Sequence, residues 1–231
     1  MRRGNLCGVV AGLMLLAGCS APVSHAYVTQ GHIPRAPAAT PTTSVDAEHA
    51  LAVAAAPGPP EEPIVITGAG FDVHTAGKVS QAAFDATWAG VLNTLNRYLE
   101  AAVLTPLRSG GPAGDLTPLF TSLSVRQVMN VGPDRAAFID EGLSGPATDI
   151  REDTAVATLT ALAGADGTMS VVAANLDLKL TGLVAGAPMS LDREGELVLM
   201  PDAGGWRIDA WDLKVTRKLA DSTTTTTAVR P

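Results

Sequence analysis

Few residues in this chain have the type and spacing that chemistry requires. There are two thiols, Cys7 and Cys19. Cys19 closes the run Leu16-Ala17-Gly18 and precedes Ser20. Small residues ahead of a thiol fit a narrow peptidase cleft, and only a thiol forms a thioether, so Cys19 is the candidate for lipid attachment. The four histidines, His25, His32, His49 and His74, all precede the first strongly periodic segment. That placement argues against a Ser-His-Asp triad or a His-rich zinc site inside a folded domain. With Cys7 removed and Cys19 acylated, no disulfide and no thiol nucleophile is expected in the mature chain. What remains is Tyr98, the pair Asp209 and Asp212, the tryptophans Trp88, Trp206 and Trp211, and two acidic runs, Asp140-Glu141 and Asp149 to Asp153. The acidic runs promise too few fixed oxygens for calcium and read as solvated surface. No phosphate-binding loop, dinucleotide fingerprint or nucleophile elbow occurs. The expectation is no catalytic residue, no metal and no cofactor.

The segment carrying Cys19 begins with Arg2 and Arg3 and continues through an uncharged stretch from Leu6 to Gly18. A basic start and a short apolar run ending in small residues is the layout of a secretory signal. It falls short of the roughly 20 apolar residues that span a bilayer. Residues after the arginine pair do not support twin-arginine export, so general secretion is expected. Leu16-Ala17-Gly18-Cys19 resembles the lipobox of bacterial lipoproteins. That resemblance implies a signal peptide over 1–18, acylation of Cys19 and anchoring on the extracytoplasmic face of the cell membrane. Each buried methylene contributes about 0.8 kcal/mol, so two or more acyl chains, palmitate among them, hold a protein durably.

Residues 19–63 are rich in Ala, Pro and Thr and keep no apolar period, which reads as a disordered tether. The tail over 220–231, with its threonine run, reads as disordered too. Between them lie about 155 residues (64–219), the size of one domain with a genuine core. A net charge of −7 and the lack of a basic stripe with interleaved aromatics exclude nucleic acid as a partner.

Phe84, Trp88, Val91, Leu92, Leu95, Tyr98, Leu99, Ala102 and Val103 recur at helical spacing. They predict one long amphipathic helix ending before Pro106. Gly90 within it costs about 1 kcal/mol relative to Ala, a sign of close packing there. Thr117-Pro118 is a helix-start signature, and a further short helix is expected over Pro133 to Glu141. Ile64-Val65-Ile66 reads as an edge strand or a docking segment. Four hairpin-linked strands follow, over Thr154 to Leu162, Val171 to Thr181, Met189 to Met200 and Trp206 to Lys218. The expected fold is α+β, a long helix packed in a curved four-stranded antiparallel sheet, a cystatin-like roll.

The last strand changes phase. Trp206, Ile208 and Ala210 share one parity, and Trp211, Leu213 and Val215 the other. An inserted residue, a β-bulge near Ala210-Trp211, reconciles the two. The alternative is a regular strand buried on both faces, one of them by a homodimer through the sheet.

This order of elements, with Gly205-Trp206-Arg207-Ile208-Asp209-Ala210-Trp211 closing it, resembles the nuclear transport factor 2-like superfamily, which includes ketosteroid isomerase and the polyketide cyclases. The Trp-Arg-Ile-Asp close also resembles small accessory domains of actinobacterial envelope proteins. The resemblance implies a cone-shaped pocket between helix and sheet, used by members as an enzyme site, a binding site or not at all. Ketosteroid isomerase uses an Asp base with a Tyr and a protonated Asp, but its residues have no matching positions here. Ligand-binding candidates are Trp88, Leu95, Tyr98, Asp209 and Trp211. Against that role, Tyr98 and the tryptophans can serve as core, and Asp209 and Asp212 can pair with Arg207 or Lys214 in solvent. The expectation is a non-catalytic binding or accessory module for a small apolar ligand or an envelope protein. An isomerase- or cyclase-like enzyme and a lipid carrier are the alternatives.

Overall fold

The computed structural model describes residues 62–202, 204–220 and 222–230. The expected signal peptide, Cys19 and the expected tether up to residue 61 fall outside these residues. The fold is α+β: a six-stranded mixed sheet and one long helical rod. Strand order follows the chain, β1 (Thr67–Thr75), β2 (Ala147–Ala163), β3 (Met169–Val184), β4 (Ala187–Asp202), β5 (Gly205–Leu219) and β6 (Ser222–Arg230). Neighbours run antiparallel except β1, which lies parallel to β2.

The expected count of four strands becomes six, one added at each edge. At β1, Gly68 and Gly70 interrupt the apolar alternation that marks a strand. The segment before it docks on the rod. The backbone N–H of Ile66 donates to Asn96 Oδ1 at 2.7 Å, and Asn96 Nδ2 donates back to the Ile66 carbonyl at 3.0 Å. At β6, the expected disorder of the tail is overturned. Threonine is β-branched and suits a pleated surface, and an edge strand needs only one partner, here β5 over Leu219↔Ser222 to Trp211↔Arg230.

The rod is α1 (Gln81–Tyr98), a π-helical stretch over Leu99–Leu104 and α2 (Thr105–Ser109), which follow one another without a gap. Ser80 caps its start by accepting from the Ala83 N–H at 3.1 Å. It does not end before Pro106, which lies inside α2. The π stretch makes room: the Thr105 N–H reaches back to the Glu100 carbonyl, five residues away rather than four. The Ala101 carbonyl, which loses that donor, accepts from the Gly114 N–H at 2.8 Å. Proline has no N–H to offer the carbonyl four residues back. That carbonyl belongs to Ala102 and accepts from the Asp140 N–H at 3.0 Å. Gly110, in the left-handed region at φ 65°, ends the rod.

Thr117–Leu119 is a single 3-10 turn rather than an α-helix start, set by Asp115 Oδ1 accepting from the Thr117 N–H at 2.9 Å. Two short helices, α3 (Ser124–Met129) and α4 (Pro133–Phe138), lead into β2. The core lies between rod and sheet and contains Leu95, Tyr98, Leu99, Leu178, Leu197 and Trp211.

The expected bulge is present. Val198 faces Ala210 but Leu199 faces Ile208, so Asp209 is the extra residue and the two apolar phases join across it. The expected close packing at Gly90 is present as well, because a Cβ there would lie 2.8 Å from Trp206 Cδ1. In β4, Gly195 sits at φ +136°, where a Cβ would overlap the Asp212 carbonyl.

Candidate functional site

Strand parity decides which side chains meet the rod. In β4 the inward set is Met189, Leu191, Arg193, Leu197 and Leu199; in β5 it includes Leu213, Val215 and Arg217. Leu191 faces Arg217 and Arg193 faces Val215 across the ladder, so the two arginines are diagonal neighbours on one face. Both therefore enter space that parity assigns to apolar residues.

Asp140 answers them. The loop after α4 brings it inward, and its N–H is fixed on the rod at Ala102. Its Oδ2 accepts from Arg193 Nη2 at 2.6 Å and its Oδ1 from Arg217 Nη2 at 2.5 Å. Arg193 and Asp140 are fully buried, while Arg217 keeps 18% exposure. Arg193 Nη1 also donates to the Phe138 carbonyl at 3.2 Å and to the Tyr98 hydroxyl. Arg217 Nη1 donates to the Glu141 carbonyl at 3.1 Å. The Nε atoms of both arginines are buried without an acceptor among the described residues.

The electrostatics follow from this geometry. Burial pushes the Tyr98 hydroxyl up to about 12, Arg193 working against the rise and Asp140 adding to it. Burial also opposes the charge on Arg193, but Asp140 and Tyr98 outweigh it and its pKa lies above the ordinary value. Glu141 is lowered. Burial would raise it, but the Ala113 N–H and the Arg135 guanidinium prevail. Tyr98 and Asp140 are thus held, one neutral and one doubly paired.

The five sequence candidates are not gathered around an open space. Leu95 and Tyr98 are sealed in the core. Trp211 is 2% exposed, stands edge-on to Phe120 and Phe138, and donates from Nε1 to Asp134 at 2.9 Å. Trp88 stacks on Phe71 of β1, at the flank of the rod. Asp209 turns to α3: its Oδ1 accepts from Thr121 Oγ1 at 2.6 Å, and its carbonyl from Ser124 Oγ at 2.7 Å. Arg207 and Lys214, its expected partners, pair instead with Asp202 and Glu194. The reading of Asp140-Glu141 as solvated surface is overturned, because Asp140 is sealed and Glu141 is three-quarters buried against Arg135.

Comparison with protein-family models, curated proteins and solved structures found no significant match. The residue-level geometry is therefore the basis for a functional reading. Arg193 and Arg217 were not singled out by sequence reasoning, and Asp140 was noticed only as part of a solvated acidic run. The available signal was parity: arginines at 193 and 217 continue inward apolar sets, and a buried charge implies a counter-charge.

Next to this cluster is a cavity of about 230 Å³ between the exit of α4 and the β5–β6 edge. Ile139, Glu141, Val215, Arg217, Leu219, Thr224 and Thr226 line it.

Proposed function

We propose that this chain is a lipid-anchored protein of the extracytoplasmic face of a bacterial membrane. Its domain, a nuclear transport factor 2-like roll, serves as a non-catalytic binding or accessory module for an envelope protein or a small ligand. One observation supports the non-catalytic part: the space between rod and sheet is occupied by the chain's own side chains. Val91, Leu95 and Tyr98 from above and Leu178, Arg193 and Leu197 from below have no exposed surface. Catalysis in the manner of an isomerase needs a desolvated carboxylate free to take a proton. Among the described residues Asp140 is the acidic side chain buried in the interior, and both its oxygens are engaged by guanidinium groups. The same filled interior weighs against a lipid carrier.

A dimer through the sheet loses its motive, since the bulge at Asp209 accounts for the phase change in β5. The outer face also carries Asp177, Lys179, Glu194 and Lys214 in ion pairs, which a dimer would have to desolvate.

Native mass spectrometry of the purified full chain tests the reading. The expected spectrum contains no long-chain lipid held in the fold; a one-to-one complex with such a lipid would establish a carrier and overturn the module. The anchor has its own test. Cys19→Ala is expected to shift the protein from the membrane pellet to the soluble fraction, and continued detergent-dependent retention would refute lipidation at Cys19.

A further inference from the structure

Counting charge around Asp140 leaves a surplus. Arg193 and Arg217 both face this one carboxylate. Tyr98 contributes no charge at neutral pH, and Glu141 is matched by Arg135 at 2.7 Å. The cluster thus holds one uncompensated positive charge, in surroundings where unmatched charge is expensive. Arg193 and Asp140 are sealed, so the surplus is presented by Arg217, the member with 18% exposure.

Arg217 is also underused as a donor. A guanidinium has five N–H bonds. One of these goes to Asp140 and one to the Glu141 carbonyl, and Nε has no acceptor among the described residues. Arg217 borders the cavity of about 230 Å³, together with the aliphatic Ile139, Val215 and Leu219, the threonines Thr224 and Thr226 of β6, and Glu141, whose carboxylate is paired with Arg135. One water needs roughly 10–15 Å³ by this measure, so the cavity has room for a small organic molecule. One positive charge, hydroxyls beside it and aliphatic walls together specify an occupant.

We propose that this cavity is a binding site for a small aliphatic monocarboxylate, with its carboxylate on Arg217 and Thr226 and its hydrocarbon against Ile139, Val215 and Leu219. The site deepens the binding-module reading and rests on it for its non-catalytic role. The two fail separately, because a lipid in the rod–sheet space or membrane retention of Cys19→Ala bears on that reading alone.

Hexanoate is the probe, titrated by calorimetry into the full-length chain in detergent. 1-Hexanol and inorganic phosphate are run in parallel. Saturable hexanoate binding with a Kd of about 1 mM or tighter is expected. Hexanol should bind at least roughly tenfold more weakly, and phosphate should not compete, since charge-assisted hydrogen bonds and aliphatic contact are both required. Arg217→Gln is expected to weaken hexanoate by roughly tenfold or more. Because Arg217 also holds Asp140, Thr226→Val serves as the variant that leaves the ion cluster intact. It should weaken binding by about three- to tenfold, whereas Thr225→Val, on the opposite face of β6, should not. Partition into micelles is common to all variants and cancels. Absence of saturable hexanoate binding, equal binding of hexanol, phosphate binding as tight as hexanoate, or equal effects of Thr225→Val and Thr226→Val would each overturn the proposal.

Discussion

Arg193 occupies a position where strand parity calls for an aliphatic side chain, and its cost is offset only because Asp140 and the Phe138 carbonyl meet it. Removing one partner of a buried pair costs about 3–5 kcal/mol, because the other is left charged and unmatched. Asp140→Asn is therefore expected to destabilise by about that amount, more than Arg193→Met, which leaves Asp140 with Arg217. The double variant should be more stable than the sum of the two single changes predicts; urea unfolding of the four proteins measures the coupling, and strict additivity would argue against a shared network. Tyr98 gives a pH test. Its folded pKa of about 12 lies above the ordinary 10. Between these values the unfolded chain ionises the hydroxyl while the folded chain does not. The stabilisation it reflects, on the order of 2–3 kcal/mol, is present below pH 10 and lost as pH rises towards 12. In a Tyr27→Phe background, absorbance at 295 nm should report Tyr98 alone and rise near pH 12, not near pH 10. At this scale the sequence exposed Tyr98 and Asp209 as unusual but not their partners, because a hydrogen bond across 40 or 88 residues leaves no local trace.

Elements with a strong period were legible. The stripe from Phe84 to Val103 marked the rod, and the parity switch in β5 marked the bulge within a residue or two of Asp209. The ends were less so. Pro106 normally stops a helix, but a π-helical turn shifts the donor pattern so that the rod continues to Ser109. The two edge strands lack the signal that parity detects, since β1 is broken by glycines and β6 is threonine with little to bury. Gly90 offers a test of which local effect prevails. Alanine would gain about 1 kcal/mol of helix propensity, yet its methyl would lie 2.8 Å from the Trp206 ring. Thr94 Oγ1 donates to the Trp206 carbonyl at 2.8 Å, which limits how far that residue can retreat. Overpacking costs about 1–3 kcal/mol, so Gly90→Ala is expected to destabilise by about 1 kcal/mol net, read from the midpoint of urea unfolding; a stabilised variant would show that Trp206 yields freely.

For the molecule as a whole, the tail is the clearest departure from expectation. A disordered tail could be removed without effect, whereas β6 covers β5, buries Ala228 and sets Arg230 over the Trp211 ring at 5.3 Å. Deleting residues 221–231 is expected to cost about 2 kcal/mol or more, lowering Tm by roughly 4–8 °C for a protein of this size; an unchanged Tm would show the strand contributes nothing. Asp140 has a different consequence, one set by the order in which the ribosome delivers the chain. Its carboxylate is synthesised 53 residues before Arg193 and 77 before Arg217. Until both arginines emerge, sealing that anion would leave it unmatched. The nascent helical half must keep this side chain in water and wait for the fourth and fifth strands, so closure of the interior is a late, long-range event rather than an early local collapse.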